Sequence, residues 1–168
     1  MTNPLSLISL KNPWHLFATG FGSGLSPVIP GTMGTLASIP LYLLLVQLPL
    51  SWYLLVVLAA CIIGVKICQV TSDDMGVHDH GSIVWDEFAG FWITMAIVPI
   101  FQLSTTDWKW LLTGFVLFRF FDMVKPWPIG WLDKRVHGGL GIMIDDIVAG
   151  AMAGVALYLV GRFSGWLV

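Results

Sequence analysis

The chain has 168 residues, of which 57% are hydrophobic and only 11% charged, and its mean hydropathy is +0.83. Soluble domains carry about 25% charged residues, so this composition points to a membrane protein, with a length that suits one domain over residues 1–168. The formal net charge of −2, with no basic run or RNA-binding signature, argues against a nucleic-acid partner.

Pro4 to Leu10 is apolar but short, lacking a basic leader and a small-residue cleavage site, so no signal peptide is expected. Residues 11–35 read as a glycine-rich loop ending in Pro30-Gly31-Thr32-Met33-Gly34-Thr35. Glycine lets backbone approach a ligand closely, and the N–H groups at a helix start are unpaired donors. Gly31, Thr32 and Gly34 are therefore candidate phosphate-binding positions. A plain helix entry fits the same residues, and the Gly-Lys-Ser/Thr ending of a nucleotide loop is missing. Leu36 to Leu48 and Trp52 to Val65 form two apolar arms either side of Pro49, each shorter than the roughly 20 residues of a perpendicular span. Cys61 and Cys68 lie in or beside the second arm and match no zinc or redox spacing.

Gln69 to Ser82 is polar and includes His78-Asp79-His80, weak support for a metal by itself. Then comes Asp86-Glu87, heading an apolar segment to Phe101. A polar connection from Gln102 to Lys109 leads to a fourth apolar segment, Trp110 to Phe121, which closes on Arg119, Asp122 and Lys125 before Pro126. Those three charges, spaced i, i+3 and i+6, make either a salt-bridge ladder or two cations flanking a metal-binding carboxylate. Asp145-Asp146 repeats the earlier acid pair and heads the last apolar segment, to Val160; Gly150 and Gly154 there suit close helix packing.

Helix capping explains either acid pair alone. Together with Asp122 the pairs suggest one shared cation site, since clustered carboxylates cost too much without a counter-charge. Five alternating segments put Lys11, Lys66, Arg119, Lys125, Lys134 and Arg135 on the acid-rich face, against Lys109 and Arg162 opposite, so the positive-inside rule makes that face cytoplasmic. The expected fold is all-α, a compact polytopic membrane bundle of about five apolar helices with a polar loop layer on the cytoplasmic face. Asp86, Glu87, Asp122, Asp145 and Asp146 are expected to face one cavity there, with Asp79 nearby. Hard oxygen ligands without cysteine suit Mg²⁺. With Arg119 and Lys125 to neutralise phosphate, the chemistry expected is hydrolysis of a phosphorylated lipid by metal-activated water. Asp86, Glu87, Asp122, Lys125 and Asp146 are the candidate catalytic residues; the metal candidates are Asp79, Asp86, Glu87, Asp122, Asp145 and Asp146.

Five blocks carry a closer resemblance: Asn12 to His15, Gly20 to Gly34, Met75 to Glu87, Lys125 to Ile129 and Val136 to Gly150. In them the chain resembles the bacterial phosphatidylglycerophosphatase A family. The resemblance implies a Mg²⁺-dependent, multi-pass enzyme of the inner membrane that converts phosphatidylglycerophosphate to phosphatidylglycerol and phosphate, its active site facing the cytoplasm. The phosphohistidine motifs of the other lipid phosphatase class and the CDP-alcohol phosphotransferase pattern are missing. Two rival readings are a small cation-coupled transporter, which should show repeats and midplane acids, and a non-catalytic membrane scaffold, which should tolerate neutral acids.

Overall fold

The computed structural model describes residues 4–105 and 107–166, so Thr106, within the expected Gln102 to Lys109 connection, and both chain ends lie outside the described residues. Among the described residues there is no strand. Eight α-helices follow in order: α1 (Pro13–Ala18), α2 (Pro30–Leu45), α3 (Leu50–Met75), α4 (Trp85–Met95), α5 (Ile97–Ile100), α6 (Trp108–Val124), α7 (Ile129–Asp133) and α8 (Gly138–Phe163), with 3-10 turns at Pro4–Leu7 and Ser23–Leu25.

α8 is the axis. It packs on α3, α4, α6 and α7, while α2 covers the far side of α4 and α1 lies on α3. Small residues let α4 and α8 meet backbone to backbone: a Cβ on Gly150 would strike the Gly90 carbonyl oxygen, and one on Gly154 would stand 3.3 Å from that of Thr94. The Thr94 hydroxyl sits 3.0 Å and 3.2 Å from the Gly90 and Gly150 carbonyl oxygens. The expected role of Gly150 and Gly154 in close packing is thus what the helices use. Gly150→Val should separate α4 from α8 and cost about 1–3 kcal/mol, as overpacking does; thermal unfolding in detergent checks this, and an unchanged midpoint would show the contact to be slack.

Large buried side chains tie the other helices together while satisfying their own polar ends. Tyr53 on α3 donates to the Trp92 carbonyl at 2.6 Å, Trp92 to the Ser38 carbonyl at 3.2 Å, and Trp85 to the Ala60 carbonyl at 3.1 Å. Those bonds remove the penalty of burying an unpaired donor.

Several boundaries differ from the sequence expectation. The stretch 11–35 is not a loop throughout: α1 lies within it, and α2 starts at Pro30, six residues before Leu36, with Ile29 left-handed at φ 45° as its cap. α3 runs on through the polar residues to Met75 and stops at Gly76, whose φ of 65° suits glycine. α8 starts at Gly138, so Asp145 and Asp146 stand two turns inside it rather than at its head. The cause is tertiary: Gly139 lies against the Val65 carbonyl and Gln69 of α3, where any side chain would collide. The first N–H groups of α8 are capped from a distance, Gly138 N–H donating to His78 Nε2 at 2.9 Å and Gly139 N–H to Gln69 Oε1 at 2.6 Å.

The five apolar segments are all helical, but among the described residues only α3 and α8, at 26 residues each, are long and apolar enough to cross a membrane. α2 has 16 residues, α6 has 17, and the segment after Asp86 breaks after only 11, at Met95, before the short α5 around Pro99.

Candidate active site

Five helix ends converge at one end of the bundle: the starts of α2 and α4, the ends of α3 and α6, and the early turns of α8. Between them lies a cavity of about 300 Å³ lined by Asp79, Asp86, Glu87, Asp122, Asp145 and Asp146, with Arg119, Lys125 and Gly31 among the other walls. Asp86 and Glu87 occupy the first turn of α4, held inward because the Val84 N–H donates to the Ala18 carbonyl at 2.7 Å and pins the helix start to α1.

Asp86, Glu87, Asp145 and Asp146 are all buried. Asp86, Glu87 and Asp146 bring carboxylate oxygens within 4.8 Å of one another. Two oxygens on one Mg²⁺ stand at most about 4.2 Å apart, given ligand bonds of roughly 2.1 Å, so the trio needs to close only slightly to hold one. Each of the three also keeps a buried oxygen with no hydrogen-bond partner: Asp86 Oδ1, Glu87 Oε2 and Asp146 Oδ2. Buried carboxylate oxygens facing each other without donors are what a hard cation satisfies. The donor set therefore fits Mg²⁺.

Asp122 and Asp145 are engaged with cations. Asp122 Oδ2 lies 2.6 Å from Arg119 Nη1, which also stands 3.7 Å from Glu87 Oε1. Lys125 Nζ donates to Asp145 Oδ2 and to Asp133 Oδ1, each at 2.6 Å. Burial alone would lower the Lys125 pKa, but those two carboxylates outweigh it and raise it above the ordinary lysine range. Lys125 thus faces the cavity as a fixed positive charge. Lys125 does not continue the Arg119–Asp122 ladder: it leaves α6 in a left-handed conformation, φ 44°, and turns to α7 and α8 instead. Asp133, on α7, was missed by the sequence reading; eight residues and two prolines separate it from Lys125, and only the fold reveals the pair.

The expected phosphate loop divides. Gly31 borders the cavity, and a Cβ there would strike Glu87 Oε1 and lie 3.2 Å from Arg119 Nη2. Thr32 is not among the residues lining the cavity, and Gly34 is turned to Val84, whose Cβ would be 2.6 Å from an added methyl. Thr32 and Gly34 are the third and fifth residues of α2, and Gly34 packs on Val84 rather than facing the cavity. Asp79 is exposed at the cavity mouth, left-handed at φ 48°. His78 caps α8, and the His80 Nδ1 sits 2.9 Å from the Ser82 hydroxyl.

The site is thus a buried acid cluster flanked by Arg119 and Lys125, at one end of a helical bundle that includes two helices of membrane-crossing length. Comparison with known proteins supplies the family. Residues 16–161 match the family Phosphatidylglycerophosphatase A, and the chain belongs to it. It is 58% identical to the Phosphatidylglycerophosphatase A of Escherichia coli strain K12 over 157 residues, covering 94% of this chain and 88% of that protein. Identity to the protein of the same name from Haemophilus influenzae is 48%, over 94% of each chain. A Bacteroides thetaiotaomicron protein provisionally named a phosphatidylinositol-3-phosphatase is 37% identical over 87% of this chain and 94% of its own length. No solved structure is a significant match.

Proposed function

We propose that this phosphatase removes the terminal phosphate of phosphatidylglycerophosphate, releasing phosphatidylglycerol, at the cytoplasmic face of the bacterial inner membrane and with Mg²⁺ as cofactor. The observation that carries the proposal is the trio Asp86, Glu87 and Asp146, whose carboxylate oxygens come within 4.8 Å of one another, each residue keeping one unpartnered oxygen, in a cavity also lined by Arg119 and Lys125. The chain acts as one membrane-embedded domain, α3 and α8 crossing the bilayer with shorter helices packed about them. The cavity end carries Lys125, Lys134 and Arg135, and this basic bias supports a cytoplasmic orientation.

Asp86, Glu87 and Asp146 would hold the ion. Bound there, Mg²⁺ would supply Lewis-acid charge and acidify water at neutral pH. The side chains do the rest. Arg119 and Lys125 take the equatorial phosphoryl oxygens, whose charge is spread over three atoms as the ester bond breaks. Asp122 and Asp145 aim those cations and keep them from collapsing onto the trio. Asp79, at the mouth, stands where an incoming head group must pass. The acyl chains remain in the leaflet, so the phosphate alone enters.

The test is phosphate release from phosphatidylglycerophosphate in mixed micelles by the purified chain, with EDTA and with Mg²⁺ restored, and phosphatidylinositol 3-phosphate as comparison substrate. Release that stops with EDTA and returns with Mg²⁺ supports the proposal; release indifferent to chelation sinks the metal, and preference for the inositide sinks the substrate. Arg119→Ala and Lys125→Ala should each cost about 1.5–3 kcal/mol of transition-state stabilisation, roughly ten- to 150-fold in kcat/KM. Steady-state kinetics check this, and a value within twofold of the parent would reduce either residue to an ion-pair partner.

A further inference from the structure

We propose that the outer face of α3, beside α1 and the start of α4, holds one anionic phospholipid at a site separate from the catalytic cavity. The proposal rests on the membrane placement of α3 given above and is independent of the phosphatase chemistry. A groove of about 540 Å³ runs along this face, with Ala59 and Ala60 as its floor and Trp14, Trp85 and Trp92 among its walls; every residue lining it is apolar. Along α3 it extends from Val56 to Ile67, about 16 Å at roughly 1.5 Å per residue. Half of a hydrocarbon core of about 30 Å is ~15 Å, so the groove is as long as one leaflet is deep.

Positive charge sits at one end only. Lys66, exposed, holds its Nζ 5.3 Å from the centre of the Trp14 ring, one residue before Ile67, where the groove ends. A lysine lying over an indole at the edge of an apolar trough sets cation and aromatic at head-group depth, the stem along the chain and the charge in the wet layer. Nearby acids do not cancel it: Asp73 accepts from Gln69 at 2.8 Å, and Asp74 pairs with His15 at 2.9 Å. One apolar chain with an anionic head satisfies both ends of the groove, which selects a phospholipid over a protein helix.

This end of α3 leads through Gly76 to Asp79 at the cavity mouth, so the bound lipid occupies the leaflet that presents substrate. Trp85 lines the groove, whereas its neighbour Asp86 lines the cavity. Lipid in the groove therefore braces the first turn of α4 from behind.

The test uses the purified chain in mild detergent, titrated with phosphatidylserine or phosphatidylcholine and read by native mass spectrometry. One phosphatidylserine per chain should be retained, about fivefold over phosphatidylcholine, the worth of one lysine beside a lipid of net negative charge. Lys66→Ala should erase the preference, Ala59→Phe should empty the groove, and Asp146→Asn should change neither. The proposal is overturned if the parent shows no preference, if Lys66→Ala keeps it, or if Ala59→Phe, folded by circular dichroism, retains lipid as the parent does. No turnover is measured, so failure of the phosphatase reading leaves this result untouched.

Discussion

Asp86→Asn and Asp146→Asn should each lower phosphate release by about 10²–10³-fold, as expected for loss of a metal worth several kcal/mol to the transition state. The same substitutions leave the magnesium-free protein as stable as the parent, or more so. This second expectation follows from burial. Both residues are nearly inaccessible, each has an oxygen with no donor, and each stands within 4.8 Å of other carboxylate oxygens. Removing one charge from such a group relieves repulsion that the proposed ion would otherwise have to balance. Thermal unfolding with EDTA and then with Mg²⁺ separates the roles. If the ion binds as proposed, the parent should gain stability from it by mass action, and the variants should lose most of that gain. A variant that keeps both full turnover and its response to Mg²⁺ would remove that carboxylate from the proposed metal set. One that is inactive because it melts early would make the residue a structural one.

Much of this site was legible in the residues. Two acid pairs ahead of apolar runs, and Asp122 at the end of another, are costly to bury separately, and the fold brings them to one cavity. What was hidden depends on contacts distant in sequence. Gly138 to Gly141 reads as loop by propensity, yet it forms the first turn of α8, where Gly138 and Gly139 press on Val65 and Gln69 of α3 so closely that a Cβ on either would collide. The polar end of α3 looked like a connection, yet its helix persists because Asp74, Gln69 and Lys66 each find partners on α1 or α8 or close by on α3. The shortness of α4 was invisible for the opposite reason: its residues are apolar well past Met95, and hydropathy does not see the bend before Pro99. Asp133 escaped notice because no period links it to Lys125; the chain reverses through Pro126 and Pro128 before α7 returns it.

Gly31→Ala should cut kcat/KM by about a hundredfold while leaving the fold as stable as before or slightly more stable. The two halves of the expectation come from different atoms. Gly31 is the second residue of α2, with ordinary helical backbone, where replacing glycine usually stabilises by about 0.4–1 kcal/mol through the unfolded state. The new methyl, however, points into the cavity. It would overlap Glu87 Oε1 and press on both terminal nitrogens of Arg119, at 3.2 Å and 3.3 Å. Glu87 and Arg119 must then move together, one away from the metal position and the other away from phosphate. A displacement of about 1 Å at reacting groups costs on the order of 10²-fold, and Gly31→Val should cost more. Thr32→Ala, beside it but not among the residues lining the cavity, should stay within about threefold. Parallel kinetics and thermal unfolding on the three variants decide the matter. If Gly31→Ala turns over normally, Glu87 and Arg119 are free to shift and their positions are not what catalysis reads. If it instead loses activity in step with stability, Gly31 is a helix-start residue and nothing more. Activity lost with stability kept is the signature of a backbone held against the site, the absent side chain leaving room for the Glu87 carboxylate and the Arg119 guanidinium at their proposed positions.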